Sequence, residues 1–255
     1  ILYNVAFVTS TTTLNWENIT TFTSPKPIRG EFSFVKDGLG QNIYFYGGCD
    51  ITFSVFYNDL WLLQINRQTH KKAFWKHIPT FGEIPSGSCG HGAIILNNTM
   101  YTYGGLVTSG ISSKLYSLDL STYTWKQVSA LPHPNSRALI QHSMTRTGEF
   151  TFVLGSGTSA NKNDDDSAYE FNVNTMKWKK ISVGQCLSSI PNDASCGGNV
   201  GGSSIVYDKT RDVLILLGGY KDGTLNEVGS LDLQKKVNQR EQEWQKIQIY
   251  GNTTV

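Results

Sequence analysis

Three observations predict an all-β chain made of repeated four-stranded units. Glycine pairs recur behind short aromatic or apolar runs, in "NIYFYGGCD" from Asn42, "MYTYGGLVT" from Met100, "TFVLGSGTS" from Thr151 and "LILLGGYKD" from Leu214. Tryptophans recur in phase with them, at Trp16, Trp75, Trp125, Trp178 and Trp244, in steps of 59, 50, 53 and 66 residues. No segment keeps a helical period over a window of about eleven residues.

Each unit can be read in order. Its first strand is apolar: "GEFSFV", "GHGAIIL", "QHSMTRT" and "GSSIVYD". The second ends in the glycine pair, Gly47-Gly48, Gly104-Gly105, Gly155-Ser156 or Gly218-Gly219. Glycine weakens a strand interior, so a pair at its exit implies positive φ or a close approach by a neighbour. The third strand reads "NDLWLLQIN", "SKLYSLDLS", "SAYEFNVNT" and "NEVGSLDLQ", and the fourth carries the tryptophan in "AFWKHI", "YTWKQV", "MKWKKI" and "QEWQKI". Gly, Asn, Asp and Pro punctuate the turns between them. Four antiparallel strands per repeat, stacked radially, describe a β-propeller blade, and one blade needs its neighbours to bury both faces. A tryptophan on an outer strand then covers apolar area between blades and donates its indole N–H at the wet edge.

The units resemble kelch repeats, with the galactose-oxidase-like architecture of propeller domains. The resemblance rests on the double glycine, on "NDLW" from Asn58 to Trp61, and on the tryptophan that follows each glycine pair. Arg29 and Arg137, with His91 and His142, match the arginine and histidine that kelch blades often place before the glycines. The second unit lacks the arginine, and the third has Ser156 in place of the second glycine. The whole of 1–255 reads as one propeller segment, with blades at 27–80, 85–131, 135–183 and 199–250, and with 1–22 as the outer strands of a preceding blade. Four blades with an open end would leave two apolar faces uncovered. The expectation is a partial chain whose parent closes a six- or seven-bladed ring.

Composition narrows the partners. The chain has 22 basic and 20 acidic residues, a formal net charge of +2, and no Lys/Arg block. That balance disfavours nucleic acid, and no run reaches the length of a membrane span. Alternation of antiparallel strands puts the loops between second and third strands on the same face as the loops between blades. Those loops are the longer ones, and long loops on a rigid scaffold carry binding residues. Candidates on that face are Ile51, Phe53, Phe56 and Tyr57 in "CDITFSVFY", Asp164, Asp165 and Asp166 in "NKNDDDS", and Tyr220. The first group reads equally as an exposed apolar patch or as an inward plug. The three aspartates read as a solvated tip rather than a calcium loop, because no calcium-loop glycine surrounds them.

Catalytic signals are weak. His91 and His142 occupy equivalent positions, so a structural hydrogen bond to the next blade is the expected role. No HExxH or GxSxG spacing occurs, and no metal or cofactor is expected. Cys49, Cys89, Cys186 and Cys196 allow three pairings; Cys186 and Cys196 share one loop, and a Cys49–Cys89 bridge would join adjacent blades. The even count tilts the reading toward an oxidising compartment, extracellular or secretory. Sequons at Asn18, Asn97 and Asn252 are as many as composition gives by chance. The leading reading is a non-enzymatic module that binds protein partners or serves as a scaffold within a larger chain or assembly. Its rivals are a carbohydrate-active or oxidase-type enzyme with its site at the axial mouth, and a glycan-binding surface protein.

Overall fold

A computed structural model describes residues 20–22, 24–38, 42–65, 72–128, 139–154, 158–159, 168–181, 201–220, 224–233 and 245–246. The described residues contain strands and turns but no helix. In chain order the strands are β1 (Thr20–Phe22), β2 (Ser33–Lys36), β3 (Ile43–Tyr46), β4 (Leu60–Ile65), β5 (Lys72–Ile78) and β6 (Phe81–Gly82). Then follow β7 (Gly92–Leu96), β8 (Thr99–Tyr103), β9 (Leu106–Val107), β10 (Gly110–Ile111), β11 (Leu115–Asp119) and β12 (Thr124–Gln127). The remainder are β13 (Leu139–Ile140), β14 (Met144–Arg146), β15 (Thr151–Leu154), β16 (Thr158–Ser159), β17 (Tyr169–Asn172) and β18 (Lys177–Lys180), and finally β19 (Ser204–Asp208), β20 (Val213–Tyr220), β21 (Thr224–Asp232) and β22 (Gln245–Lys246).

Four antiparallel meanders result: β2-β3-β4-β5, β7-β8-β11-β12, β14-β15-β17-β18 and β19-β20-β21-β22. Their innermost strands β2, β7, β14 and β19 neighbour one another in that order, which makes the four sheets successive blades of a β-propeller. Among the described residues, two blades gain a fifth, parallel strand at the outer edge. β1 runs beside β5, and β6, which leaves the first blade, runs beside β12 of the second. Thr20–Phe22 therefore belongs to the rim of the first full blade. Tyr220 ends β20 and pairs with Thr224, so it closes a strand rather than standing in a long loop.

The glycine pairs have the backbone the sequence implied. Gly47 and Gly48 have φ of 68° and 97°, Gly104 and Gly105 have 67° and 89°, and Gly218 and Gly219 have 59° and 113°. A Cβ on Gly47 would lie 2.7 Å from Cε1 of His91, and one on Gly104 would lie 2.5 Å from the Leu139 carbonyl. The second glycine also ties the blades together: Gly48 N–H donates to the Ser88 carbonyl at 2.9 Å, and Gly105 N–H to that of Leu139 at 2.7 Å. Gly155 lies outside the described residues.

The aromatic part of the motif is explained by the same interface. Tyr46, just before its glycines, packs 5.3 Å from the His91 ring and 5.0 Å from Trp125, both in the next blade. Tyr103 repeats this with His142 at 5.7 Å and Trp178 at 5.6 Å. Three apolar clusters fill the three spaces between blades, around Tyr46 and Trp125, around Tyr103 and Phe152, and around Val153 and Leu214. Trp125 is fully buried and its Nε1 has no hydrogen-bond partner, so at this position the expected wet edge is dry. Cover from Tyr46 and Ile78 of the first blade accounts for that. Trp16 and Trp244 lie outside the described residues.

A backbone relay joins the starts of the inner strands. Gly90 N–H donates to the Glu31 carbonyl at 2.8 Å, Gln141 N–H to that of Gly90 at 2.7 Å, and Gly202 N–H to that of Gln141 at 2.8 Å. All four residues are left-handed, with φ of 54° at Glu31, 64° at Gly90, 56° at Gln141 and 71° at Gly202. Two glycines fit that geometry freely; Glu31 and Gln141 hold it at a backbone cost. The Gln141 side-chain amide reaches back to the Glu31 carboxylate at 3.3 Å.

Candidate functional site

The segment "CDITFSVFY" divides in two. Its tip is a tight turn that Asp50 organises: Asp50 N–H donates to the Val55 carbonyl at 3.1 Å, and the Asp50 carboxylate accepts the Ser54 and Val55 amides and the Thr52 hydroxyl. The Thr52 hydroxyl and the Val55 and Ser54 amides hold the Asp50 carboxyl below the usual carboxylate range. Ile51 at the tip is 93% exposed, and Phe53, with φ of 54°, and Val55 are each 49% exposed. Phe56 and Tyr57 turn inward and are half-buried: Phe56 bridges back to Cys49, and Tyr57 N–H donates to the Gly48 carbonyl at 2.9 Å. The exposed tip and the half-buried Phe56 and Tyr57 thus belong to one loop.

Beneath the loop sits an ion pair that fixes its base. The Arg29 guanidinium, almost wholly buried, engages both carboxylate oxygens of Asp59, Nη2 lying 3.2 Å from Oδ2. It also donates to the Lys26 carbonyl at 2.9 Å and stacks over the Tyr57 ring, 3.8 Å from its centroid. Asp59 further accepts the Trp61 indole N–H at 2.6 Å. Burial alone would raise the Asp59 carboxyl, but hydrogen bonds from Arg29 and Trp61 and the guanidinium charge outweigh it and hold it down. Asp59 stands inside "NDLW", where it has a polar role that strand periodicity does not expose.

Above this base lies a groove of about 320 Å³ lined by Ile28, Arg29, Gly30, Glu31, Cys49, Asp50, Ile51 and Phe53. Ile28, which no sequence pattern singles out, is 95% exposed at its rim. A disulfide joins Cys49 to Cys89 with Cα atoms 5.4 Å apart, so the exit of β3 in one blade is tied to the start of β7 in the next. Removing it by Cys49→Ser with Cys89→Ser is expected to cost about 2–4 kcal/mol, chiefly by freeing the unfolded chain. Denaturant midpoints of the variant and of the parent, with thiol content assayed, check this; coincident midpoints would contradict it.

A second cleft, of about 260 Å³, separates Pro85–Ser88 from the β9–β10 hairpin, with Ser86, Ser112, Ser113, Lys114 and Tyr116 on its walls. At its floor Ser88 Oγ lies 3.2 Å from His91 Nδ1, while His91 Nε2 lies 3.1 Å from Ser33 Oγ. Burial lowers the His91 pKa to about 4, which keeps the imidazole neutral. His142 Nε2 accepts the Gly92 N–H at 3.1 Å. Both histidines thus bond to the preceding blade, not the next, as strands β7 and β14 face back toward it. Among the described residues no three His, Cys, Asp or Glu side chains gather to hold a metal ion. No helix among them is long and apolar enough to cross a membrane. Asp164, Asp165, Asp166, Cys186, Cys196 and Arg137 lie outside the described residues, as does the side chain of Tyr220.

Comparison with known proteins accords with this architecture. The chain is 26% identical to acyl-CoA-binding domain-containing protein 4 of Arabidopsis thaliana over 225 residues, 86% of the chain and 30% of that protein. It is 27% identical to human kelch domain-containing protein 10 over 151 residues, 56% of the chain and 32% of that protein. The Xenopus tropicalis form is 28% identical over 149 residues, covering 56% of the chain and 34% of its own length. The chain thus spans about a third of the length of these relatives. The profile of the KLHDC2/KLHL20/DRC7 kelch-repeats domain matches residues 2–196, and the chain belongs to the kelch-repeat family.

Proposed function

We propose that the chain is a non-enzymatic protein-interaction or scaffold module that works through the loop face of its first blade. Kelch domains generally serve as protein-interaction modules. The observation that carries the reading is the apolar rim of Ile28, Ile51 and Phe53 held in the open above a rigid, disulfide-tied base. Exposed apolar side chains on an ordered support suit a protein partner better than solvent.

The test compares partner capture by the intact chain, by Ile51→Ser with Phe53→Ser, and by a control substitution at Val206, another half-exposed apolar residue, in the fourth blade. Partners retained by the parent and by the control are expected to be lost with the loop variant, by quantitative mass spectrometry at matched folded protein. Equal recovery with all three proteins would refute the reading.

A further inference from the structure

The groove beside the first blade has a charge pattern of its own. Its lining residues include three charged side chains: Arg29, Glu31 and Asp50. Arg29 is spent internally, since Asp59 takes its guanidinium and leaves it almost no exposed surface. Glu31 and Asp50 carry charge that no ion pair among the described residues compensates, although Asp50 also accepts three hydrogen bonds within its own turn. Asp50 is held ionised by the turn it caps. Glu31 shares one oxygen with the Gln141 amide at 3.3 Å and keeps further acceptor capacity. Ile28 and Ile51, more than nine-tenths exposed, and Phe53 line the same groove.

The backbone adds a second argument. Glu31 occupies a left-handed position that glycine takes in two other blades, at Gly90 and Gly202. Phe53 is left-handed too, an outlier for a bulky side chain. Two of the left-handed non-glycine residues, Glu31 and Phe53, line this groove, and their backbone fixes where the two side chains start.

Resting on the interaction reading above, we propose that the occupant is a peptide segment pairing an apolar side chain with an adjacent lysine or arginine. The apolar side chain enters between Ile28, Ile51 and Phe53. The cation is received by the Glu31 and Asp50 carboxylates that line the groove. A cavity of about 320 Å³ has room for one such side chain and its flanking backbone. An acidic segment is rejected, because two carboxylates would face it with no free cation on the lining residues.

The probe is a displayed library of random heptapeptides selected on the whole chain, with enriched peptides resynthesised and measured by fluorescence anisotropy. Enriched peptides are expected to place Lys or Arg within two positions of Leu, Ile, Met or Phe, and to weaken as salt rises. Glu31→Gln with Asp50→Asn removes both charges while the amide oxygens preserve the turn and the Gln141 contact. That variant is expected to bind the selected peptides roughly threefold to tenfold more weakly. Ile51→Ser with Phe53→Ser separates the two claims. Loss of binding with the serine variant but not with the charge variant would overturn the basic-peptide inference and leave the docking face standing. Enrichment of acidic or uncharged peptides would overturn it as well. Binding that neither variant weakens, or no enrichment, would overturn the inference and count against the docking face.

Discussion

Trp125→Ala is expected to lower stability by about 3–5 kcal/mol, the loss typical of a large aromatic removed from a close-packed core. Trp125 is fully buried between the first two blades against Tyr46, Ile78 and Leu118. Its removal leaves a cavity that β6, a two-residue strand pinned at the outer edge, is too short to fill. The measurement is chemical denaturation of parent and variant, monitored by circular dichroism so that loss of the indole does not confound the signal. A loss below about 1 kcal/mol would mean the blades relax onto each other, and the packing account would be wrong. A companion substitution gives the opposite sign. Tyr46 is fully buried with its hydroxyl unpartnered, and burial pushes its pKa well above the usual phenol value. Tyr46→Phe deletes that stranded hydroxyl while keeping the ring contact, and is expected to be neutral or to stabilise by about 1 kcal/mol.

These two side chains also show how much of the fold was legible. The strand order of each blade, the glycine φ values and the contact between blades through tryptophan follow from local rules: period-two patterning, glycine at strand exits, aromatic area in need of cover. What did not follow is whatever depends on a second repeat. The parallel strands β1 and β6 pair across the blade boundary, and nothing in "TTF" or "FG" announces a partner far along the chain. Trp125 is dry because Tyr46 and Ile78 of the first blade cover it, a contact its own strand does not encode. The same limit applies to the candidate site. Ile51 and Phe53 stood out as apolar residues in a loop, but Ile28 and Glu31 come from a different segment and join them through the Gly30–Cys49 bridge and the Arg29–Asp59 ion pair. Cys49 and Cys89 were one pairing among three by arithmetic; the loop geometry made it feasible, and the disulfide forms there.

Acid is expected to destabilise the protein by about 3 kcal/mol between pH 6.5 and pH 4 through His91 alone. The sign follows from burial. His91 sits neutral between Ser88 and Ser33, and the desolvated site lowers its pKa from 6.5 to about 4. Above pH 6.5 neither the folded nor the unfolded chain protonates it, and it gives no pH dependence. Below that value the unfolded chain takes up the proton and the folded one does not. Stability then falls by about 1.4 kcal/mol for each pH unit until the folded imidazole also protonates near pH 4. The carboxyls held low, Asp59 among them, act in a separate and more acidic window, because an unfolded aspartate titrates near 3.8. Denaturant midpoints at half-unit steps from pH 7.5 to pH 4 trace the slope, and His91→Gln, which retains an amide for Ser33 and Ser88, supplies the control. The variant is expected to be weaker at neutral pH yet flat across the window. A parent as flat as its variant would show that His91 protonates without penalty in the folded state, through an opening of the first blade interface that its burial against Tyr46 is inferred to prevent.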